Sequence, residues 1–370
     1  MNVLVTGGAG FIGSYIVDEL VRRGHRVRVF DNLDPQVHPN RCKPDYLNSD
    51  AEFVEGDVRD LHALKMALEG QEVVFHEAAA VGMGQSQYQI KHYVDVNIGG
   101  TANLLELIVN TKNSVRKIIV AASQSSYGEG LCECARHGQI KPDFRGEEQL
   151  QQHRWEHECP HCGSVMKPVA TPETASLQCR AIYAMTKRDQ EEMVQNVGQT
   201  YGIPAVALRY FNVYGPRQSL SNPYTGVLAI FMSRLANGHP PVIYEDGWQT
   251  RDFVSVHDIV QANLLAMEKE AADYQVFNVG EGKPTSIREA TMHLAGIYQT
   301  AIEPEITGSY RKGDTRHSFA DLTHISSRLG YQPQITMEEG MRELVEWSRT
   351  TRAEDHFEQA SLELRERGLA

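Results

Sequence analysis

No run of apolar residues in this chain approaches the roughly 18 needed to cross a membrane, and no membrane association is expected. Positive charge is also scarce. Lys and Arg number 36 against 48 Asp and Glu, for a net charge of −12. Broad nucleic-acid binding needs a basic surface, so no nucleic-acid partner is expected. A few local arginines would still suffice for a small anion. The chain has no internal repeat and no low-complexity tract. Its opening, "MNVLVTGGAG", lacks the basic residues that precede the apolar core of a secretory signal, and it reads as a strand. A cytoplasmic location is the expectation. The six cysteines are then thiols or metal ligands rather than disulfides. Four of the six fall within 132–162, and that clustering carries more information than the count.

What is present is enough for a full core: 41% of the 370 residues are hydrophobic, which argues against disorder. The first third alternates strand and helix. "NVLVTG", "RVRVFDN", "AEFVEGD", "EVVFHEAAA" and "RKIIVAAS" read as strands, and "FIGSYIVDELVRRGH" and "VNIGGTANLLELIVN" as helices. Such alternation predicts an α/β fold with a parallel, doubly wound Rossmann-type sheet covered on both faces. The expected organisation is a dinucleotide-binding domain over 1–130 and 181–215, with a Cys-rich insertion over 131–180. A smaller substrate lobe over 216–350 interleaves with the sheet. Residues 351–370 read as a charged helix with few apolar anchors, expected to be peripheral.

"TGGAGFIGS" places Gly7, Gly10 and Gly13 between a strand and an amphipathic helix. Glycines there allow the tight turn and let a pyrophosphate approach the helix N-terminus. Asp31 ends the next strand, where a carboxylate can bind the adenosine ribose hydroxyls. That favours NAD over NADP, whose extra phosphate an aspartate repels. "YAMTK" sets Tyr183 and Lys187 four residues apart on one helical face. A nearby ammonium favours the phenolate, which brings base chemistry closer to neutral pH. Ser123 ends "KIIVAAS", at the carboxyl edge where open sheets bind ligands.

With these motifs in place, the chain resembles the extended short-chain dehydrogenases/reductases that act on nucleotide sugars. The resemblance runs over about 3–347. It rests on "GGAGFIGS", "EGDVRD", "AAA" at 78–80, "VNIGGT", "YG" at 127–128, "YAMTK", "RYFNVYGPRQ", "DGWQTRDFVSVHD" and "RKGDTRHSFAD". It implies that Ser123, Tyr183 and Lys187 are catalytic. It implies that Phe11, Ile12, Asn32, Asp57, Val58, Ala78, Ala79, Ala80, Asn97 and Tyr210 join the glycines and Asp31 around NAD, as do Tyr183 and Lys187. It also implies that Ser123, Asn212, Arg251, Arg311 and Asp314 meet a nucleotide-sugar substrate. Guanidinium groups suit diphosphate oxygens. A homodimer formed through the helix of Tyr183 and its neighbour is implied as well.

Dehydratases of this family carry an acidic pair after the active-site hydroxyl. Here Gln124 and Ser125 follow Ser123, so elimination is disfavoured. The expectation is epimerisation at carbon 4 through a 4-keto intermediate. "RKGDTRHSFAD" and "SLSNPYTG" resemble the dTDP-L-rhamnose 4-epimerase branch, and a UDP-sugar is the other substrate considered. A 4-keto-reductase or decarboxylase of the same family is the alternative. A catalytically inactive NAD-sensing protein is the alternative from another class.

The insertion holds "CECARHG" and "CPHCG". Cys132, Cys134, Cys159 and Cys162 can make the four-thiolate tetrahedron of a closed, structural zinc site. Cys-x-Cys is a less usual spacing, which leaves His137 or His161 as a replacement for one thiolate. Unliganded thiols and a disulfide are the competing readings. The segment has few apolar anchors of its own and needs a staple to fold.

Overall fold

The computed structural model describes residues 1–369. Seven parallel strands form its central sheet: β1 (Asn2–Thr6), β2 (Arg26–Asp31), β3 (Glu52–Glu55), β4 (Val73–His76), β5 (Lys117–Ser123), β6 (Ala205–Tyr210) and β7 (Gln275–Val279). Their spatial order is β7-β6-β5-β4-β1-β2-β3. The chain order reverses beside β1, and a crevice opens there at the carboxyl ends, where open sheets bind ligands. β5 (KIIVAAS) and β6 (AVALRY) are buried along their whole length, as expected for strands covered on both faces. Their register sets Ser123 opposite Tyr210, and that of β1 and β4 sets Thr6 opposite His76. One apolar cluster fills each face of the sheet.

The smaller lobe is built on helices Val227–Ala236, Ile287–Tyr298 and Met337–Thr350, packed around Phe231, Leu294, Met341 and Leu344. It interleaves with the sheet. β7 comes from within 216–350, and the helix Val256–Glu268 packs against Phe11–Arg22. The insertion forms a three-stranded antiparallel sheet in the order Gly138–Ile140, Leu131–Cys134, Lys167–Val169.

The end of the chain departs from the sequence reading. The helix Phe357–Glu366 is not peripheral. Ala360 and Leu364 are buried, and Leu364 packs on Gly84. Three apolar residues, Phe357, Ala360 and Leu364, share a face at spacings of three and four. That is a sufficient anchor when the partner surface is itself apolar. No described helix is long and apolar enough to cross a membrane.

Candidate active site and metal centre

The turn after β1 leaves no room for side chains. Gly7 has φ +69°, and a Cβ there would stand 2.7 Å from the Ala78 nitrogen. A Cβ on Gly13 would stand 2.3 Å from the Gly7 carbonyl oxygen. The helix Phe11–Arg22 then begins at Gly10 with no side-chain cap. Its first N–H groups and its dipole therefore face the crevice unneutralised. Asp31 accepts from the Ala9 N–H (3.0 Å) and the Leu33 N–H (2.9 Å), and burial raises its pKa.

From this turn a cleft of about 620 Å³ runs to the smaller lobe. Its wall includes Gly7, Gly10, Phe11, Ile12, Gly13, Asp31, Asn32, Val58, Ala78, Ala79, Ala80 and Tyr210. Ser123, Tyr183, Lys187, Asn212, Arg251, Arg311 and Asp314 complete the part foreseen from sequence.

Two residues expected at the cofactor do not line the cleft. Asn97 is fully buried. Its oxygen accepts from the Ala80 N–H (2.7 Å), and its amide donates to the Ala80 carbonyl (3.1 Å) and the Thr186 hydroxyl (2.9 Å). It clamps the end of β4 to the helix of Tyr183. Asp57 binds Arg59 through two contacts (2.9 and 2.7 Å) and accepts from Asn32 (2.8 Å). Burial opposes its ionisation, yet these partners hold it at about 2. Both act on the cleft through neighbours.

Tyr183 and Lys187 lie one turn apart on the helix Ile182–Tyr201. Burial pushes the phenol up to about 12, and the neighbouring Ser123 hydroxyl lowers it in part. The Lys187 ammonium donates to Gln190 (2.8 Å). Burial lowers it to about 8, against the opposing field of Glu77. Glu77 was not foreseen. It is a cleft-wall carboxyl raised to about 7 by burial, with Lys187 and the Tyr210 hydroxyl (3.1 Å) pulling it back. The acidic residue inside "FHEAAA" was the available signal. Ser123 accepts from the Ser125 hydroxyl (2.9 Å), and Gln124 accepts from Ser318 (2.8 Å). Neither following residue supplies an acid.

At the far end, Asp314 lies between Arg251 (3.3 Å) and Arg311 (3.5 Å). Burial opposes its ionisation, but Arg311, Arg251 and then Arg145 hold it below the usual range. Arg251 also donates to the carbonyls of Thr250 (2.9 Å), Thr315 (2.7 Å) and Arg316 (3.2 Å). Arg311 stacks on Tyr244 at 4.7 Å. The Asn212 Oδ1 and Arg311 Nε atoms are buried without a partner.

In the insertion, the ligand atoms of Cys134, His137, Cys159 and Cys162 all lie within 4.8 Å of one another. Cys132, expected as a ligand, is not in the group, and His137 takes the fourth place. Cys132 and Cys134 share one face of a strand, but only Cys134, at its end, leads into the turn that brings His137 back. The Arg136 N–H, then the Ser164 hydroxyl, pull the Cys134 thiol down to about 5. Burial, then Glu129 and Glu156, push the Cys132 thiol up to about 12. The Cys134–Cys162 sulfur separation is 3.7 Å, and His137 Nδ1 stands 3.5 Å from Cys134 Sγ and 3.4 Å from Cys159 Sγ. Zinc–sulfur and zinc–nitrogen bonds of about 2.3 and 2.0–2.1 Å imply tetrahedral edges of about 3.8 Å (S···S) and 3.5 Å (S···N). The donor set suits that ion, and these three separations match its edges. His161 packs at a tilt against His137 with ring centres 5.1 Å apart and stays outside the group.

Known proteins share this fold. A profile described as the NAD dependent epimerase/dehydratase family matches residues 3–149 and 160–280. The dTDP-L-rhamnose 4-epimerase of Burkholderia thailandensis is 38% identical over 349 residues, covering 94% of each chain. A UDP-glucose 4-epimerase from Thermotoga maritima, solved with UDP-glucose, aligns with TM-score 0.77 and 34% identity. The alignment covers 95% of this chain and 99% of that one. A Bacillus cereus UDP-glucuronic acid 4-epimerase, solved with UDP-glucuronic acid and NAD, aligns with TM-score 0.76 and 25% identity, at 95% and 99% coverage.

Proposed function

The chain belongs to the NAD dependent epimerase/dehydratase family, and we propose that within it the protein is an isomerase that inverts carbon 4 of a nucleotide-diphosphate sugar. The substrate we favour is a dTDP-6-deoxyhexose such as dTDP-L-rhamnose, with a UDP-sugar next. The observation that carries the reading is the site itself. Ser123, Tyr183 and Lys187 converge on one cleft wall, while Gln124 and Ser125, rather than an acid pair, follow the serine.

The glycine turn and the uncapped helix fit the pyrophosphate of NAD, and Asp31 fits its adenosine ribose. When bound, NAD supplies a hydride acceptor that can return the hydride to either face of the sugar. Tyr183 removes the proton of the 4-hydroxyl and later restores it. Ser123 hydrogen-bonds the same oxygen, and its Ser125 contact keeps the hydroxyl oriented. Lys187, charged below about pH 8, favours the phenolate electrostatically. Arg251, Arg311 and Asn212 hold the diphosphate, so a 4-keto sugar can turn over without leaving. The unpaired Asn212 and Arg311 atoms support that role.

Cys134, His137, Cys159 and Cys162 hold a structural zinc ion; four protein ligands leave no open position for a substrate. The protein works in the cytoplasm as a homodimer. Met185 on the helix of Tyr183, with Ile90 and Val94 nearby in the chain's helical wall, is an exposed apolar residue that supports pairing there.

The test is incubation of purified protein with dTDP-L-rhamnose, UDP-glucose and UDP-glucuronic acid without added cofactor, with products resolved by NMR. Inversion at carbon 4 is expected. Turnover only with added NADPH, or release of carbon dioxide, would replace this reading with reductase or decarboxylase.

A further inference from the structure

The metal centre and the substrate clamp are joined by one buried network of charges. The hairpin carrying Cys159 and Cys162 is closed by the His157 carbonyl accepting from Met166 N–H (2.8 Å) and by the Ser164 carbonyl accepting from Cys159 N–H (2.8 Å). Glu156 stands at its base. Glu156 Oε1 accepts from Arg316 Nη2 (2.5 Å) and Nε (3.1 Å), and its other oxygen pairs with His317 Nε2 (2.8 Å). Arg316, only 1% exposed, also donates to Glu245 (2.9 Å) and Asp246 (2.7 Å). Arg145, from between the two ligand pairs, grips Glu245 through two contacts of 2.9 Å. It also donates to the Asp314 carbonyl (3.1 Å) and the Trp155 carbonyl (3.1 Å).

The segment held by these contacts, 311–318, contains Arg311 and Asp314. Its carbonyls at Thr315 and Arg316 fix the guanidinium of Arg251. The insertion has one small apolar cluster around its cysteines. Its apolar cluster is Cys132, Cys134, Cys159 and Met166, with Ile140 and Cys162 packed against it. Half of that cluster is residues of the four-ligand group. A buried charge network stays in register only while every member is satisfied. The register of Glu156 depends on a hairpin that the ligands tie.

We propose that the Cys134–His137–Cys159–Cys162 centre is a positioning device for the substrate site: zinc held there fixes Glu156 and Arg145, and through Arg316 they set the loop that clamps the nucleotide diphosphate. The dinucleotide end lies outside this network and is insensitive to the metal. The proposal rests on the zinc reading above. It does not depend on which sugar is turned over, because its readout is nucleoside diphosphate binding.

The experiment uses the full chain as purified with its cofactor. Zinc content is measured by plasma mass spectrometry, dTDP and UDP affinity by calorimetry, and NAD affinity in parallel. Removal of zinc with a chelator is expected to weaken the better nucleotide at least tenfold. NAD affinity should stay within twofold, and added zinc should restore the nucleotide site. Glu156→Gln, which touches no ligand, should keep one equivalent of zinc and weaken the nucleotide about fivefold or more. Unchanged nucleotide affinity after verified zinc loss overturns the coupling. Unchanged affinity in Glu156→Gln overturns the route. Parallel loss of NAD binding shows general unfolding and also overturns it. A protein that neither contains nor takes up zinc fails the underlying metal reading instead.

Discussion

The Tyr210 hydroxyl stands 3.1 Å from Glu77 Oε1, which makes Glu77 a carboxyl held in the cleft wall by a neutral partner. Burial raises its pKa to about 7, with Lys187 and Tyr210 opposing. An unfolded glutamate titrates near 4.3. Between about 4.3 and 7 the folded state therefore binds more protons, and stability falls as pH rises. Glu77→Gln should match the parent near pH 4.5 and be more stable near pH 8, by on the order of 2–3 kcal/mol. Urea unfolding at the two pH values checks this. Equal stability of the two proteins at both would remove the buried charge from the account.

Tyr183 starts from a disadvantage, since burial holds its phenol near 12 and Ser123 is the group that lowers it. Tyr183→Phe should lower kcat by roughly 10²–10⁴-fold, the usual contribution of a positioned acid–base group. NAD should still bind, so the loss falls on the chemical step. Ser123→Ala removes the stabilising hydroxyl, so the acid limb of its pH–rate profile should move to higher pH. A Tyr183→Phe protein with full activity would assign the proton transfer to another group.

Much of this site was legible because its motifs are local. Gly7, Gly10 and Gly13 fall within one turn, and Tyr183 and Lys187 within one helical turn, so spacing alone fixes their relation. Direction was harder. "VNIGGT" and "EGDVRD" locate Asn97 and Asp57 near the cofactor, but motif position does not say which way a side chain points. Both turned out to brace the wall. The four-cysteine set failed for a related reason. Cys134-x-x-His137 and Cys159-x-x-Cys162 share one knuckle spacing, whereas Cys132 lies in the strand before the turn. The role of the last helix depends on a surface some 280 residues earlier in the chain, around Gly84, and no local pattern encodes that.

Asp314 occupies the space between the two arginines proposed to bind the diphosphate. The arginines differ in what else they do. Arg311 is partly exposed and stacks on Tyr244, whereas Arg251 also holds three carbonyls. Arg311→Ala should therefore raise KM about 10–100-fold with kcat within a few-fold, the signature of lost uniform binding. Arg251→Ala should raise KM as well and also lower Tm, because buried carbonyls lose their donor. Steady-state kinetics and thermal unfolding of the two variants separate these effects. Equal Tm values would show that Arg251 acts on the ligand alone.

The last helix closes one side of the cleft. Glu363 accepts from Tyr88 (2.9 Å) and Tyr224 (3.0 Å), and those hydroxyls lie 2.7 Å apart. Leu364 packs on Gly84 so closely that a Cβ on Gly84 would stand 3.0 Å from it. Phe357, Ala360, Ser361 and Leu364 line the cleft directly. Chemistry at the Tyr183 end does not need this helix, but retention of a keto intermediate does, because an open wall lets water in and the sugar out. Truncation after Glu354 should leave the first hydride transfer intact and raise the fraction of turnovers that end with released 4-keto sugar and reduced cofactor. Reduced nicotinamide would then accumulate on the enzyme during reaction, visible in its absorbance, and activity would decay with each cycle. Glu363→Gln and Leu364→Ala should show the same decay more mildly. A truncated protein that turns over without accumulating reduced cofactor would assign retention to the arginine clamp alone.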